Sequence, residues 1–213
     1  MAARYAEPTA RYPHLVLGRD HNFAALVATL ADGTEVAARL SRRVFEDTAP
    51  RVFDVDGAPG PEVVVVESDP RRGARVAVHG LRDGRLARVA AGPFVGRANR
   101  WLAVAAVADL DGDGAVEVAY VDRPHLLKVL RVLRWRDGAL VPVAALEGVT
   151  NHRIGEPGIA GGLRDCGEGP EIVLATADRR GTVAVRLEGG RLRARRLGGA
   201  ATSQRLGKAL LCM

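Results

Sequence analysis

The sequence predicts an all-β chain built from four repeats of about 55 residues. The first observation behind this is a carboxylate–glycine segment that recurs and each time runs into an apolar strand. Asp54-Val55-Asp56-Gly57 leads to Glu62 and the valines 63–66. Asp109-Leu110-Asp111-Gly112-Asp113-Gly114-Ala115-Val116-Glu117 leads to 118–121, and Asp165-Cys166-Gly167-Glu168-Gly169 leads to Glu171 and 172–174. The three starts lie 55 and 56 residues apart, and a fixed period of that size marks a repeat architecture. The second observation is that period-2 runs of apolar residues bounded by Gly, Asp and Pro dominate the chain, the pattern of half-buried strands. The third is a set of four matching hairpin turns at 31–33, 82–84, 136–138 and 188–190. Their Asp-Gly and Gly-Gly pairs supply the positive φ that tight hairpins need.

In chain order, the first unit (about 12–48) offers three strands, one near 14–17 and the hairpin 26–30/35–37. The second (49–93) combines 62–66 with the hairpin 76–79/86–89. The third (99–148) is the most complete, with strands at about 101–108, 116–121, 128–135 and 139–146 and the carboxylate loop joining the first to the second. The fourth (157–198) carries the hairpin 182–187/192–194. One helical signal stands out, Thr202 or Ser203 capping a short stretch from Gln204 that Gly207 interrupts. The whole of 1–213 reads as a single domain.

Composition narrows the classes. Of 213 residues, 47% are hydrophobic but only 4% aromatic, so Val, Ala and Leu must build the core. No apolar run approaches the roughly 20 residues of a membrane helix. The start, residues 1–8, has no apolar signal core, which fits a cytosolic protein or one whose leader precedes this sequence. Net charge is +6, and all but two of the 31 basic residues are Arg. Scattered as they are, most read as a solvated surface. No basic run is interleaved with aromatics and no nucleic-acid motif occurs, so the favoured partners are an anionic small molecule, a polysaccharide or a protein. No zinc spacing, P-loop, dinucleotide fingerprint or Gly-x-Ser-x-Gly is present, and Ser41, Ser68 and Ser203 have no neighbouring His in sequence.

The segment 109–117 places carboxylates at alternate positions around Gly-permitted turns, a cage of hard oxygens that suits Ca²⁺. An EF-hand would need Glu at the twelfth position, where Tyr120 stands, and helical flanks where strands are expected. The expected ligands are the side chains of Asp109, Asp111, Asp113 and Glu117 and the carbonyl of Ala115. A weaker second site is Asp54, Asp56 and Glu62, where Ala58 and Pro59 replace a ligand position. The fourth unit's loop is two residues shorter.

The pattern of apolar strand, Asp-x-Asp-Gly-Asp-Gly-x-x-Glu and second apolar strand resembles the FG-GAP/VCBS repeat of integrin-α-type β-propellers. The resemblance spans about 12–198 and is strongest in the third unit; the Phe-Gly part of the motif is not evident. It implies a small propeller of about four four-stranded blades, since seven blades would need nearly twice this chain. Its metal loops would gather on one face and its binding loops on the other. That second face would collect Arg97, Arg100, Trp101, Arg123, His125, Asn151, His152, Arg153 and Glu156, with Arg100, Arg123, His125, His152 and Arg153 around one depression. The first blade lacks a strand, and 209–213 would return as that strand to close the ring; an open ring would instead pair with a second copy. Within that topology Cys212 would reach Cys166 as a disulfide, implying the periplasm or the exterior. The function implied is a non-catalytic, Ca²⁺-stabilised binding module. The alternatives are an extracytoplasmic lyase or hydrolase on an anionic carbohydrate, with His152 or His125 as base, and a structural subunit that uses its basic face.

Overall fold

The computed structural model describes all 213 residues. It is all-β apart from one short helix, and the chain divides into two compact units. The first comprises Met1–Leu102 with Arg136–Leu140 and Ile154–Pro157; the second is the remainder.

In the first unit the strands are β1 (Ala2–Thr9), β2 (Asn22–Thr29), β3 (Glu35–Arg39), β4 (Val44–Phe45), β5 (Arg51–Phe53), β6 (Glu62–Asp69), β7 (Gly73–Arg82) and β8 (Arg85–Ala91). They form one antiparallel sheet of order β1-β2-β4-β6-β7-β8, with β3 on β2 and β5 on β6. The alternate residues Leu26, Ala28, Val63, Val65 and Ala77 point to one side and pack with Phe45 and Leu86. Side chains alternate along a strand, and the intervening Ala25, Val64, Val66, Val76 and Val78 are buried as well, so the central strands are covered on both faces. Tyr5 stacks on both Phe23 and Phe45, at 5.6 and 5.5 Å between ring centres.

Largely in the second unit, β9 (Leu102–Ala108), β10 (Glu117–Asp122), β11 (Val129–Arg136) and β12 (Ala139–Glu147) form a four-stranded meander in sequence order. They match the strands expected for the third repeat. A further sheet contains β13 (Val149–Thr150), β14 (Gly162–Asp165), β15 (Pro170–Thr176), β16 (Thr182–Glu188) and β17 (Arg191–Gly198), with β13 and β14 both on β15. The inward residues of the two sheets, Ala119, Val121, Leu130, Val132, Ile172, Leu174, Val183 and Val185 among them, share one core. The hairpin chemistry holds: Asp83-Gly84, Asp137-Gly138 and Gly189-Gly190 all have positive φ at both positions.

Two expectations are corrected. The segment 14–17 is loop and turn, not a strand. Pro13 cannot donate to a ladder, and Val16 and Leu17 are buried as loop residues. The strand beside β2 is instead β1, in register from Ala2↔Thr29 to Thr9↔Asn22. Its charged sequence hid it, since a sheet-edge strand needs backbone pairing more than apolar side chains. The tail is also not a closing strand. It forms helix α1 (Ser203–Leu210), capped by Thr202, whose hydroxyl accepts from the Arg205 N–H. Leu206 and Ala209 lie one helical turn apart and pack on Val173 and Ala175, so the tail belongs to β15. The Cys166–Cys212 disulfide is nevertheless present, with a Cα–Cα distance of 5.7 Å. It ties α1 to the turn between β14 and β15. No helix is long and apolar enough to cross a membrane.

Glu67 is the charged hub of the first unit. It is fully buried on β6 and accepts from Arg75 at 2.7 Å, His79 at 3.1 Å and Arg43 at 3.2 Å, with Arg88 at 3.4 Å. Burial alone would push its carboxyl up; the His79 hydrogen bond and the Arg75 charge outweigh burial and hold it at about 2.

Two outcomes follow. Glu67 binds its proton less readily folded than unfolded, so its contribution, about 3 kcal/mol, is present above pH 4.5 and lost as pH falls toward 2. Urea unfolding at several pH values should show wild type losing more stability than Glu67→Gln across that window; parallel curves would refute the assignment. The disulfide closes a loop of 46 residues, so Cys212→Ser should cost about 2–4 kcal/mol on the chain-entropy account. Hydrogen exchange should locate the loss first in α1.

Candidate metal centre

Two of the recurring loops bring carboxylates together as expected. Asp54, Asp56 and Glu62 form one group and Asp109, Asp111 and Glu117 another, each with three ligand oxygens within 4.8 Å of one another. The construction is the same in both. The glutamate opening β6 or β10 turns inward, and one of its oxygens accepts a backbone N–H seven residues back. Val55 donates to Glu62 at 3.0 Å and Leu110 to Glu117 at 2.8 Å. The leading aspartate folds the turn: Asp54 accepts from the Gly57 N–H at 2.9 Å, and Asp109 from those of Gly112 at 2.7 Å and Gly114 at 2.9 Å. Gly57, Gly112 and Gly114 sit at positive φ, which L-residues with a Cβ adopt at a cost.

The electrostatics differ between groups. Burial pushes both the Glu62 and Glu117 carboxyls up, against the hydrogen bonds from Val55 and Leu110. Asp109, where burial works in the same direction, is held below its usual value by the N–H groups of Gly114 and Gly112. In the third repeat Arg134 of β11 lies directly across from Glu117 and spreads its guanidinium over the loop. Nε contacts Glu117, Nη1 contacts Asp113 at 2.7 Å and Nη2 contacts Asp111 at 2.6 Å. Asp113, expected as a ligand, is thus turned to Arg134 and to the Ala115 N–H and stands outside the oxygen group. In the second repeat Gly80 lies beside the Glu62 side chain. Of the three carboxylates Arg82 pairs only with Asp56, at 3.2 Å; it also donates to the Leu81 carbonyl at 2.9 Å and is half exposed. In the fourth, Glu171 is held by Arg164 at 2.6 Å, Arg195 at 2.8 Å and Arg186 at 3.0 Å, and no acidic group forms.

The residues fit a hard divalent cation. The donors are carboxylate oxygens, and Asp111 Oδ1 is buried with no hydrogen-bond partner. Sequence reasoning missed Arg134, which pairs with Glu117 as Arg186 pairs with Glu171.

The residues expected on a binding face are placed as follows. Trp101 is 2% exposed and donates its indole N–H to the Glu46 carbonyl at 2.7 Å, a core position. Arg97 is exposed; Arg100 donates to the Asn99 carbonyl at 2.9 Å. Glu156 is half-buried. In the second unit the loop after β10 meets the loop after β13. Thr150 donates to the Pro124 carbonyl at 2.8 Å, and His125 Nε2 lies 2.8 Å from His152 Nδ1. Arg123 belongs to the same loop, but its fork is spent on Asp122, at 2.7 and 3.0 Å. Asn151 and His152 are 1% and 2% exposed, and Arg153 is exposed. Ser68, without a neighbouring His in sequence, meets one through a carboxylate: Glu46 accepts from Ser68 and pairs with His14 Nδ1 at 2.7 Å.

Comparison of the chain with protein-family models and with curated protein sequences returns no match.

Arg134 and a metal ion would serve the same carboxylates, which gives an outcome to measure. Arg134→Gln leaves the buried Glu117 without its counter-charge and should cost about 3 kcal/mol in EDTA. Millimolar Ca²⁺ should restore more stability to the variant than it adds to wild type, read as unfolding midpoints. Equal metal effects in the two proteins would show that Arg134 and the cation do not compete.

Proposed function

We propose that the chain is a non-catalytic binding module of the FG-GAP/VCBS β-propeller type, with Ca²⁺ in the loops of its second and third repeats. The observation that carries this reading is the repeated contact 55 residues apart, Val55 N–H to Glu62 and Leu110 N–H to Glu117, each inside a three-carboxylate group. An identical backbone device at the repeat period supports one ancestral loop with one purpose. The order of strands supports blades: β5-β6-β7-β8, β9-β10-β11-β12 and β14-β15-β16-β17 are each four antiparallel strands in sequence, with the carboxylate turn between the first and second. β1-β2-β3 would be the shortened first blade.

Asp54, Asp56 and Glu62 would hold one ion, and Asp109, Asp111 and Glu117 the other. The bound cation would neutralise oxygens that otherwise repel and would fix the turn. The disulfide supports an oxidising compartment, the periplasm or outside the cell. The enzyme reading has less support, because a general base must reach its substrate: His152 is buried, and His125, half-buried, has its Nε2 2.8 Å from His152 Nδ1.

Titration calorimetry on metal-stripped protein tests the proposal. Wild type should bind about two Ca²⁺, Asp56→Ala and Asp111→Ala one each, and the double variant none. Absence of heat in wild type, together with an unfolding midpoint indifferent to EGTA, would overturn it.

A further inference from the structure

The first unit holds a cavity of about 500 Å³ lined by five arginines with Leu40, Ser41 and Asp69. Arg39 ends β3, and Arg42 and Arg43 follow in its connection to β4; Asp69 ends β6, and Arg71 and Arg72 follow in the turn to β7. Five guanidiniums thus face one carboxylate. A scattered basic surface has no such convergence, and charges of one sign brought into a concave site repel unless something else is served.

The wall is also braced. Asp69 accepts from the backbone N–H groups of Arg71 and Arg72 at 3.0 and 3.2 Å, and its other oxygen pairs with Arg72 at 3.1 Å and Arg43 at 3.4 Å. Burial would raise this carboxyl; the N–H groups and Arg72 hold it at about 2, so it stays ionised as a bracket. Beneath, the Phe94 ring carries Arg72 at 4.0 Å, Arg75 at 4.5 Å and Arg43 at 5.6 Å. Gly73, at positive φ, lets the turn press against the chain: a Cβ there would lie 2.2 Å from the Arg97 carbonyl. Arg39 carries a partner, Glu7 at 2.6 Å, but that pair is open to solvent. Arg42 and Arg71 are exposed, and no carboxylate of the chain pairs with their side chains. The bracketed arginines therefore shape the site, and the two uncommitted forks are left to bind.

We propose that this cavity is a binding site for a compact multivalent anion, one that presents several phosphate or carboxylate oxygens at once. Planar guanidinium forks match both groups two bonds at a time. With Arg39 and Arg43 paired to Glu7 and Glu67 and Arg72 to Asp69, the two uncommitted guanidiniums ask for a ligand of two or more negative charges. The volume is that of a small-molecule site rather than of a nucleic-acid track, and the one aromatic ring there is covered by guanidiniums. The proposal names a ligand class for the binding-module reading but rests on a site apart from the carboxylate loops, and it needs no metal.

Calorimetry on the full chain at 150 mM NaCl with EDTA tests it, using inorganic pyrophosphate, citrate and monophosphate as probes. Pyrophosphate or citrate should bind one to one and at least about tenfold more tightly than monophosphate; the stronger of the two tells a phosphorylated source from a polycarboxylate one. Arg42→Gln/Arg71→Gln should weaken binding at least about tenfold with no loss in unfolding midpoint, and the exposed Arg191→Gln, outside the cavity, should not. The Asp56→Ala/Asp111→Ala variant should bind the anion unchanged, so failure of the calcium reading leaves this one standing. No heat with either multivalent probe, or equal affinity in the Arg42/Arg71 variant, would overturn the proposal.

Discussion

Each carboxylate loop depends on a glutamate that the following strand carries inside. Glu62, Glu117 and Glu171 are at most 1% exposed, and a buried carboxylate is costly unless hydrogen bonds and charge meet it. The chain meets it locally. In the second and third repeats the loop folds back so that its own backbone N–H reaches the glutamate. The turn, the strand that follows and the register between them are then fixed by a single side chain. A one-residue slip would place that glutamate on the opposite face of the sheet, since side chains alternate along a strand.

The three loops answer the same demand for positive charge in graded ways. The second relies on Arg82, at arm's length from Asp56. The third lays Arg134 over three carboxylates. The fourth surrounds Glu171 with Arg164, Arg186 and Arg195. A guanidinium and a divalent cation supply positive charge to the same cage of oxygens, so an arginine set on those carboxylates competes with an ion for them. In the short fourth loop the glutamate's charge is met by the protein's own cations alone.

The arginine content that composition presents as one property thus divides by position. Some arginines are internal counter-ions, as Arg75 is to Glu67 and Arg164 to Glu171. Arg123 is a local brace, its fork closed on Asp122. Where the side chain makes no ion pair, as at Arg42 and Arg71, it remains available to something outside the chain. The Ca²⁺ and anion readings therefore rest on opposite ends of one accounting of charge.

What is local and periodic in this fold can be read from short stretches of the sequence. The hairpins at 82–84, 136–138 and 188–190, the strands of the third repeat, the two carboxylate groups and the α1 cap are all written in short windows, because turn φ, side-chain alternation and capping act over a few residues. Tertiary structure decided what depends on partners far away in the chain. β1 is a strand only because β2 offers its edge. The tail is a helix packed on β15 because Leu206 and Ala209 find Val173 and Ala175. The Cys166–Cys212 bond forms by that route, and not by a returning strand. Trp101 became a core residue and Arg123 a brace because Glu46 and Asp122 stand beside them. Arg134 and the arginine cavity were invisible in the sequence for the same reason: a charge reads as solvated surface until the fold shows which opposite charge, if any, is set against it.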